Sequence, residues 1–279
     1  MTKQTILILS AVLTLSVCSC TSKSQEQKNQ DNGPHSLVVY FSQSGTTEAV
    51  AQLLQAKTGA DILKILAAVP YDDDFQAIVD AYVQEMKAGI TREIQPVETD
   101  LTQYDTLYIG FPVWCGNAAG PMETFLRSVD LKGKTIIPFC TFGSGGNTSI
   151  DQLKQLQPEA NYTDWYGVRT ERLAKADAEL DEFLARIGVT PGDAKPLPAF
   201  TEQRDLTEEE AAIFEAACGS YQMPLGTPIS VAVRSLDNGT EYLFVSKVTG
   251  FDGSEGTQQI YVIQGNEPGS VAEFTQVVR

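Results

Sequence analysis

Three short stretches concentrate the residues able to hold a ligand. Ser42-Gln43-Ser44-Gly45-Thr46-Thr47 sets four hydroxyls around a glycine, just before a helical pattern. Gly45 permits a tight turn, and N–H groups and hydroxyls converge at a helix N-terminus, a ready anion site. The stretch has no lysine, so it is not a Walker loop and suits a monophosphate better than a nucleoside triphosphate. The second stretch is Pro112-Val113-Trp114-Cys115-Gly116-Asn117-Ala118-Ala119-Gly120-Pro121. A tryptophan exposed between proline and glycine is costly unless it stacks on a partner. The third is Cys140-Thr141-Phe142-Gly143-Ser144-Gly145-Gly146-Asn147, whose glycines let backbone approach the edge of a planar ligand.

Other chemistry is excluded by composition. His35 is the single histidine, so no Ser-His-Asp triad, Cys-His dyad or multi-histidine metal site can be built within the chain. Redox or group-transfer chemistry has to come from a cofactor or from residues other than histidine. The 279 residues carry 20 Lys+Arg against 36 Asp+Glu, a net charge of −16. Nucleic acid is a poor partner for such a chain. Residues 37–189 and 190–279 are both acidic, which solvates the protein and would steer a basic partner.

The elements that position the three stretches alternate. Apolar β-rich runs at 37–41, 61–66, 106–111, 135–140 and 165–168 are separated by helical patterns at 47–57, 75–87, 121–128, 149–157 and 174–187. In the second helix Ile78, Val79, Tyr82 and Val83 are expected inward. Continuous apolar strands between helices predict an α/β, doubly wound five-stranded parallel sheet covered on both faces. Ligands of such sheets sit beyond the C-terminal strand ends, where all three stretches fall. Residues 190–204 are Pro-rich and predict a linker. Residues 205–279 predict a small α+β domain: a helix capped at Thr207, then an antiparallel sheet with a hairpin turn at Asn238-Gly239.

The N-terminus is an address. Lys3 precedes the apolar run 6–17, too short to span a bilayer comfortably, which ends in Val17-Cys18-Ser19-Cys20. This resembles a bacterial lipoprotein signal over residues 1–20, with Cys20 as the lipidated residue because Ser19 suits the position before the cut. Residues 21–36 are almost without apolar side chains and read as a tether. The expected location is the cell envelope, anchored by lipid rather than spanning.

The run VVYFSQSGTTEAVA, then Gly110-Phe111-Pro112-Val113-Trp114, then Thr124-Phe125-Leu126 and 133–141 in that order resemble the flavodoxin-like proteins. The resemblance covers residues 37–188 and implies strand order 2-1-3-4-5 and bound FMN. By motif, Ser42, Gln43, Ser44, Gly45, Thr46 and Thr47 would hold the phosphate. Pro112, Val113, Trp114, Cys115 and Gly116 would line one side of the flavin ring, and Thr141, Phe142, Gly143, Ser144 and Gly146 its other edge. The sequence departs from the family pattern at Cys115 and Phe142. The resemblance also implies electron transfer to a redox partner protein or small-molecule acceptor. An FMN-dependent reductase of quinones or nitro compounds and a flavin-free surface binding module are the alternatives. The C-terminal residues resemble cystatin-like folds more faintly, with no inhibitor activity carried over.

Cys115, Cys140 and Cys218 remain after the signal, an odd number without close spacing. Cys115 and Cys140 end neighbouring strands about 4.8 Å apart. A bridge would need the second loop to fold back, so both are expected free, Cys115 near the ring and Cys140 buried. For the anchor, Cys20→Ser is expected to move the protein from the membrane fraction to the soluble one; a variant that still partitions with membranes would contradict lipidation there.

Overall fold

Within each central strand, successive apolar residues serve opposite faces of one sheet. The computed structural model describes residues 35–190, 197–223, 225–249 and 254–278. The predicted signal, most of the tether, Cys20 and residues 191–196 of the linker lie outside them. In chain order the first part is β1 (Ser36–Tyr40), α1 (Thr46–Thr58), β2 (Asp61–Lys64), α2 (Phe75–Ala88), β3 (Thr106–Trp114), β4 (Asn117–Ala118), α3 (Gly120–Ser128), β5 (Thr135–Phe142), α4 (Asn147–Leu156), β6 (Asn161–Tyr162), β7 (Tyr166–Arg169), a 3-10 turn (Thr170–Lys175) and α5 (Ala176–Arg186).

The parallel sheet runs β2-β1-β3-β5, with β6 and β7 both pairing with β5. Since β4 is only the return of a hairpin on β3, this is the predicted order, with the fifth strand in two pieces. The break has a cause. β5 pairs with β6 at Thr135–Ile136 and with β7 from Phe139 onward, and between them stands Pro138, which has no N–H to continue the ladder. Leu37, Val39, Leu107, Ile109 and Ile136 face a core closed by α3 and α4. Val38, Tyr40, Tyr108, Ile137 and Phe139 face the one closed by α1 and α5. This two-sided burial explains the unbroken apolar runs.

Helix α2 buries less than its pattern predicts. Only Tyr82 is fully inside, Ile78, Val79 and Val83 are half-buried, and Phe75 is 76% exposed.

The second part is α6 (Glu208–Cys218) and the strands β8 (Thr227–Leu236), β9 (Gly239–Thr249), β10 (Glu255–Gly265) and β11 (Glu273–Val278), an antiparallel sheet in the order β11-β10-β9-β8. Ile213, Phe214 and Cys218 of α6 pack on Val231, Phe244, Ile260 and Val262. Thr207 and Glu210 form a reciprocal capping box. The Arg204 guanidinium beside Glu210 holds its carboxyl down to about 2. That pairing stabilises α6 fully above the ordinary carboxylate range and fades as pH falls toward 2.

Two details differ from expectation. The β8–β9 turn is Asp237-Asn238, one residue early, because Leu236 pairs with Gly239. A Cβ on Gly239 would lie 2.3 Å from the Gln264 carbonyl oxygen, so the glycine is needed for strand approach rather than for the turn. The last residues of the predicted linker run beside β8, with Arg204 paired to Val231 and the Thr201 N–H on the Val233 carbonyl.

Gly110 of β3 is register partner to Phe139, whose ring fills the space a side chain would take; a Cβ there would lie 1.9 Å from the ring. Gly110→Ala should therefore cost about 3 kcal/mol of stability by overpacking. Chemical denaturation checks this, and shrinking the ring in Gly110→Ala/Phe139→Leu should recover part of the loss.

Candidate functional site

Strands β1, β3 and β5 are neighbours, so the connections leaving their C-terminal ends are neighbours too. After β1 the chain turns on Gly45, at φ +87 and with nothing within 4 Å of where a Cβ would be. The Ser42 hydroxyl accepts the Gly45 N–H at 3.1 Å. No side chain caps α1, so the first-turn N–H groups, which have no intrahelical acceptor, point outward unused. Ser44 is exposed and Thr46 half-buried, their hydroxyl oxygens 3.4 Å apart. Ser44, Gly45 and Thr46 thus form an open face whose N–H groups and hydroxyls could hold an anion. The other three support it. Ser42 braces the turn, Gln43 donates to the Asp72 carbonyl at 3.0 Å, and buried Thr47 shares a 2.8 Å hydrogen bond with Thr141 of β5. Thr46 and Thr141 hydroxyls stand 3.5 Å apart, which joins the first and third stretches.

The second stretch is a hairpin rather than a loop. Strand β3 continues through Pro112, Val113 and Trp114 and returns as β4, with Trp114 paired to Asn117. The turn residues Cys115 (φ +49) and Gly116 (φ +82) both have positive φ, the pattern of a type I′ turn. Cys115 is the one non-glycine residue with positive φ among the described residues, and it is exposed. Thr148 Oγ1 donates to the Gly116 carbonyl at 2.6 Å, and Gln152 Oε1 accepts the Ala118 N–H, so α4 holds the hairpin.

The Trp114 ring meets aromatic partners within the chain. It is half-buried, edge-on to Phe41, Tyr71 and Tyr82 at 5.9, 5.0 and 5.3 Å between centroids. Burial pushes the Tyr82 phenol up to about 12, so it stays protonated at neutral pH.

The third stretch divides. Thr141 and Phe142 belong to β5 and are buried. The Phe142 ring packs against Gly146 and Gly167, so it belongs to the core instead of lining an open edge. Cys140 is fully buried, its sulfur beneath Gly146, with its thiol pushed well above the ordinary range by desolvation. Cys115, Cys140 and Cys218 are separate thiols. Gly143 is exposed, with open space at its Cβ position, and Ser144 and Gly145 are half-buried. Three residues at this loop were not expected there. Arg169 and Tyr221 donate to the Gly143 carbonyl, and the Val277 N–H donates to that of Ser144. An arginine ending the fifth strand, at the same level as the loop, was the one signal available for them.

An uncapped helix N-terminus, an aromatic hairpin and a glycine loop at consecutive strand ends accompany a family match: the flavodoxin family model fits residues 35–208, more than half the chain. This chain belongs to the flavodoxin family. Among solved structures it is similar to flavoproteins of Bacteroides eggerthii (32% identity, TM-score 0.46) and Bacteroides uniformis (28% identity, TM-score 0.48). Each match covers 53% of this chain, and 97% and 99% of theirs. A flavoprotein of Lactobacillus acidophilus in complex with FMN is 22% identical over 54% of this chain and 98% of that one, with a TM-score of 0.44. These relatives match nearly end to end with little more than half of this chain.

The hairpin geometry yields a prediction. A non-glycine residue at positive φ carries strain of the order of 1 kcal/mol, and Asn-Gly is a preferred type I′ pair. Cys115→Asn should raise stability by about that amount in chemical denaturation, whereas Cys115→Val should lower it.

Proposed function

We propose that this protein binds FMN and transfers electrons at the cell envelope. The observation that carries the reading is the open cradle of Ser44, Gly45 and Thr46 at the uncapped start of α1, beside the Trp114 hairpin and the Gly143–Gly146 loop. The residues fit the group. Hydroxyls and free N–H groups suit a phosphate dianion at a helix N-terminus. The bare backbone at Gly143 suits the close approach of a planar ring, and the 112–116 hairpin suits its other side. FMN, when bound, supplies the electron chemistry, which the chain's own residues do not. Their part is to anchor the phosphate, orient the ring and limit its contact with water.

The partner side follows from charge. An acidic surface suits a redox partner with a basic docking face, or a small-molecule acceptor reaching the strand ends. We assign the envelope location to lipidation of Cys20 and a tether through residue 36. The helix-plus-meander arrangement of α6 and β8–β11 supports a cystatin-like fold for residues 205–279, with no inhibitor activity attached.

The phosphate cradle is the point to test. Each hydroxyl contact to a charged phosphate is worth roughly 1.5–3 kcal/mol. Ser44→Ala/Thr46→Ala is expected to weaken FMN binding at least about a hundredfold, at about 1.4 kcal/mol per decade. Quenching of flavin fluorescence measures it. Unchanged affinity would place the phosphate elsewhere.

A further inference from the structure

Strand β11 is the edge of the C-terminal sheet, and its outward backbone groups meet the glycine loop after β5. The Val277 N–H donates to the Ser144 carbonyl at 2.7 Å. Arg169, itself buried, donates from Nε to the Gly143 carbonyl at 2.9 Å and from Nη1 to the Phe274 carbonyl at 2.9 Å. Tyr221, just beyond α6, adds a 3.3 Å hydrogen bond to the same Gly143 oxygen. The guanidinium lies over the Phe274 ring at 4.3 Å and near that of Tyr221 at 5.1 Å, the two rings meeting edge-on 5.0 Å apart. At Gly145 the approach is closest: a Cβ there would stand 2.0 Å from the Val277 carbonyl oxygen.

These contacts fix which way two peptide groups face. A trans peptide is planar, with its C=O and N–H on opposite sides. Turning the Gly143 carbonyl toward Arg169 and Tyr221 turns the Ser144 N–H away from them. Turning the Ser144 carbonyl toward Val277 does the same for the Gly145 N–H. Among the described residues, no protein acceptor takes either N–H. Without the C-terminal sheet, a run of three glycines and a serine would have little to hold either peptide in one orientation.

We infer that the C-terminal sheet is part of the ligand site: it orients the Ser144 and Gly145 N–H groups as donors toward a bound flavin, with Arg169 as the positioning residue. The inference rests on the FMN reading and adds to it a role for residues outside the flavodoxin-like half. Arg169 does not touch the ligand; it acts through the Gly143 carbonyl.

The test uses the full chain and two readouts. FMN affinity is measured by fluorescence, and amide hydrogen exchange across residues 143–146 is measured without flavin. Gly145→Ala, whose new methyl group strikes the Val277 carbonyl, should weaken FMN at least about tenfold and speed exchange across the loop. Gly145 does not have positive φ, so alanine is tolerated there by backbone conformation. Arg169→Gln should do the same, and Tyr221→Phe should do so to a smaller degree. The Ser44→Ala/Thr46→Ala protein should lose affinity without faster exchange at 143–146, which separates the clamp from the phosphate cradle. If Arg169→Gln does not fold, Gly145→Ala and Tyr221→Phe decide. A parent that binds FMN while Gly145→Ala and Tyr221→Phe bind it within twofold, with unchanged exchange, overturns the inference and leaves the FMN reading standing. A parent that binds no FMN overturns that reading, and the inference with it.

Discussion

Where β3 passes β5, one residue must have no side chain at all. Lys64, Tyr40, Gly110, Phe139 and Tyr166 form a single register row across all five parallel strands. Tyr40, Phe139 and Tyr166 share one core, and the Phe139 ring leans into the gap that Gly110 leaves. A parallel sheet has no hairpin turn to set its register, so side-chain fit must do so. With Gly110 opposite Phe139, Pro112 falls opposite Thr141. The hairpin and the glycine loop then leave the sheet at one level, and Thr141 comes within reach of Thr47 on the first connection. The site is thus a consequence of how one ring is accommodated in the middle of the sheet.

Much of this is legible in sequence because it is local. Apolar runs, Gly45 and the Thr207 cap carry their own periodicity or turn chemistry. What is not legible depends on distant partners. The Trp114 ring is accounted for by Tyr71 and Tyr82, some thirty to forty residues away, and neither announces itself as its neighbour. The hairpin at Cys115-Gly116 escapes notice because cysteine is an unusual choice for a positive φ. Pro138 reads as an ordinary strand residue until the pairing shows which neighbour lacks a donor. Phe142 continues a strand one turn of pleat further than a glycine-rich stretch suggests.

The linker conceals the largest surprise. A Pro-rich segment between two patterns implies independent units, yet the second sheet meets the first domain through the Val277–Ser144 backbone hydrogen bond and a buried arginine. Arg169 keeps its charge in that setting because carbonyl oxygens, the Glu171 carboxylate and two aromatic faces replace its water. Removing either side would leave the other with polar groups that had been paired.

The same junction bears on how the protein behaves among its own copies. An unpaired strand edge invites another chain to add to it. Here β2 is four residues long, and the opposite edge is interrupted between β6 and β7. In the second sheet, residues 201–204 lie along β8, and the glycine loop occupies the outer side of β11. Each of the four edges is short, broken or covered. The glycine loop after β5 therefore also closes a surface on which strands from neighbouring molecules would otherwise accumulate.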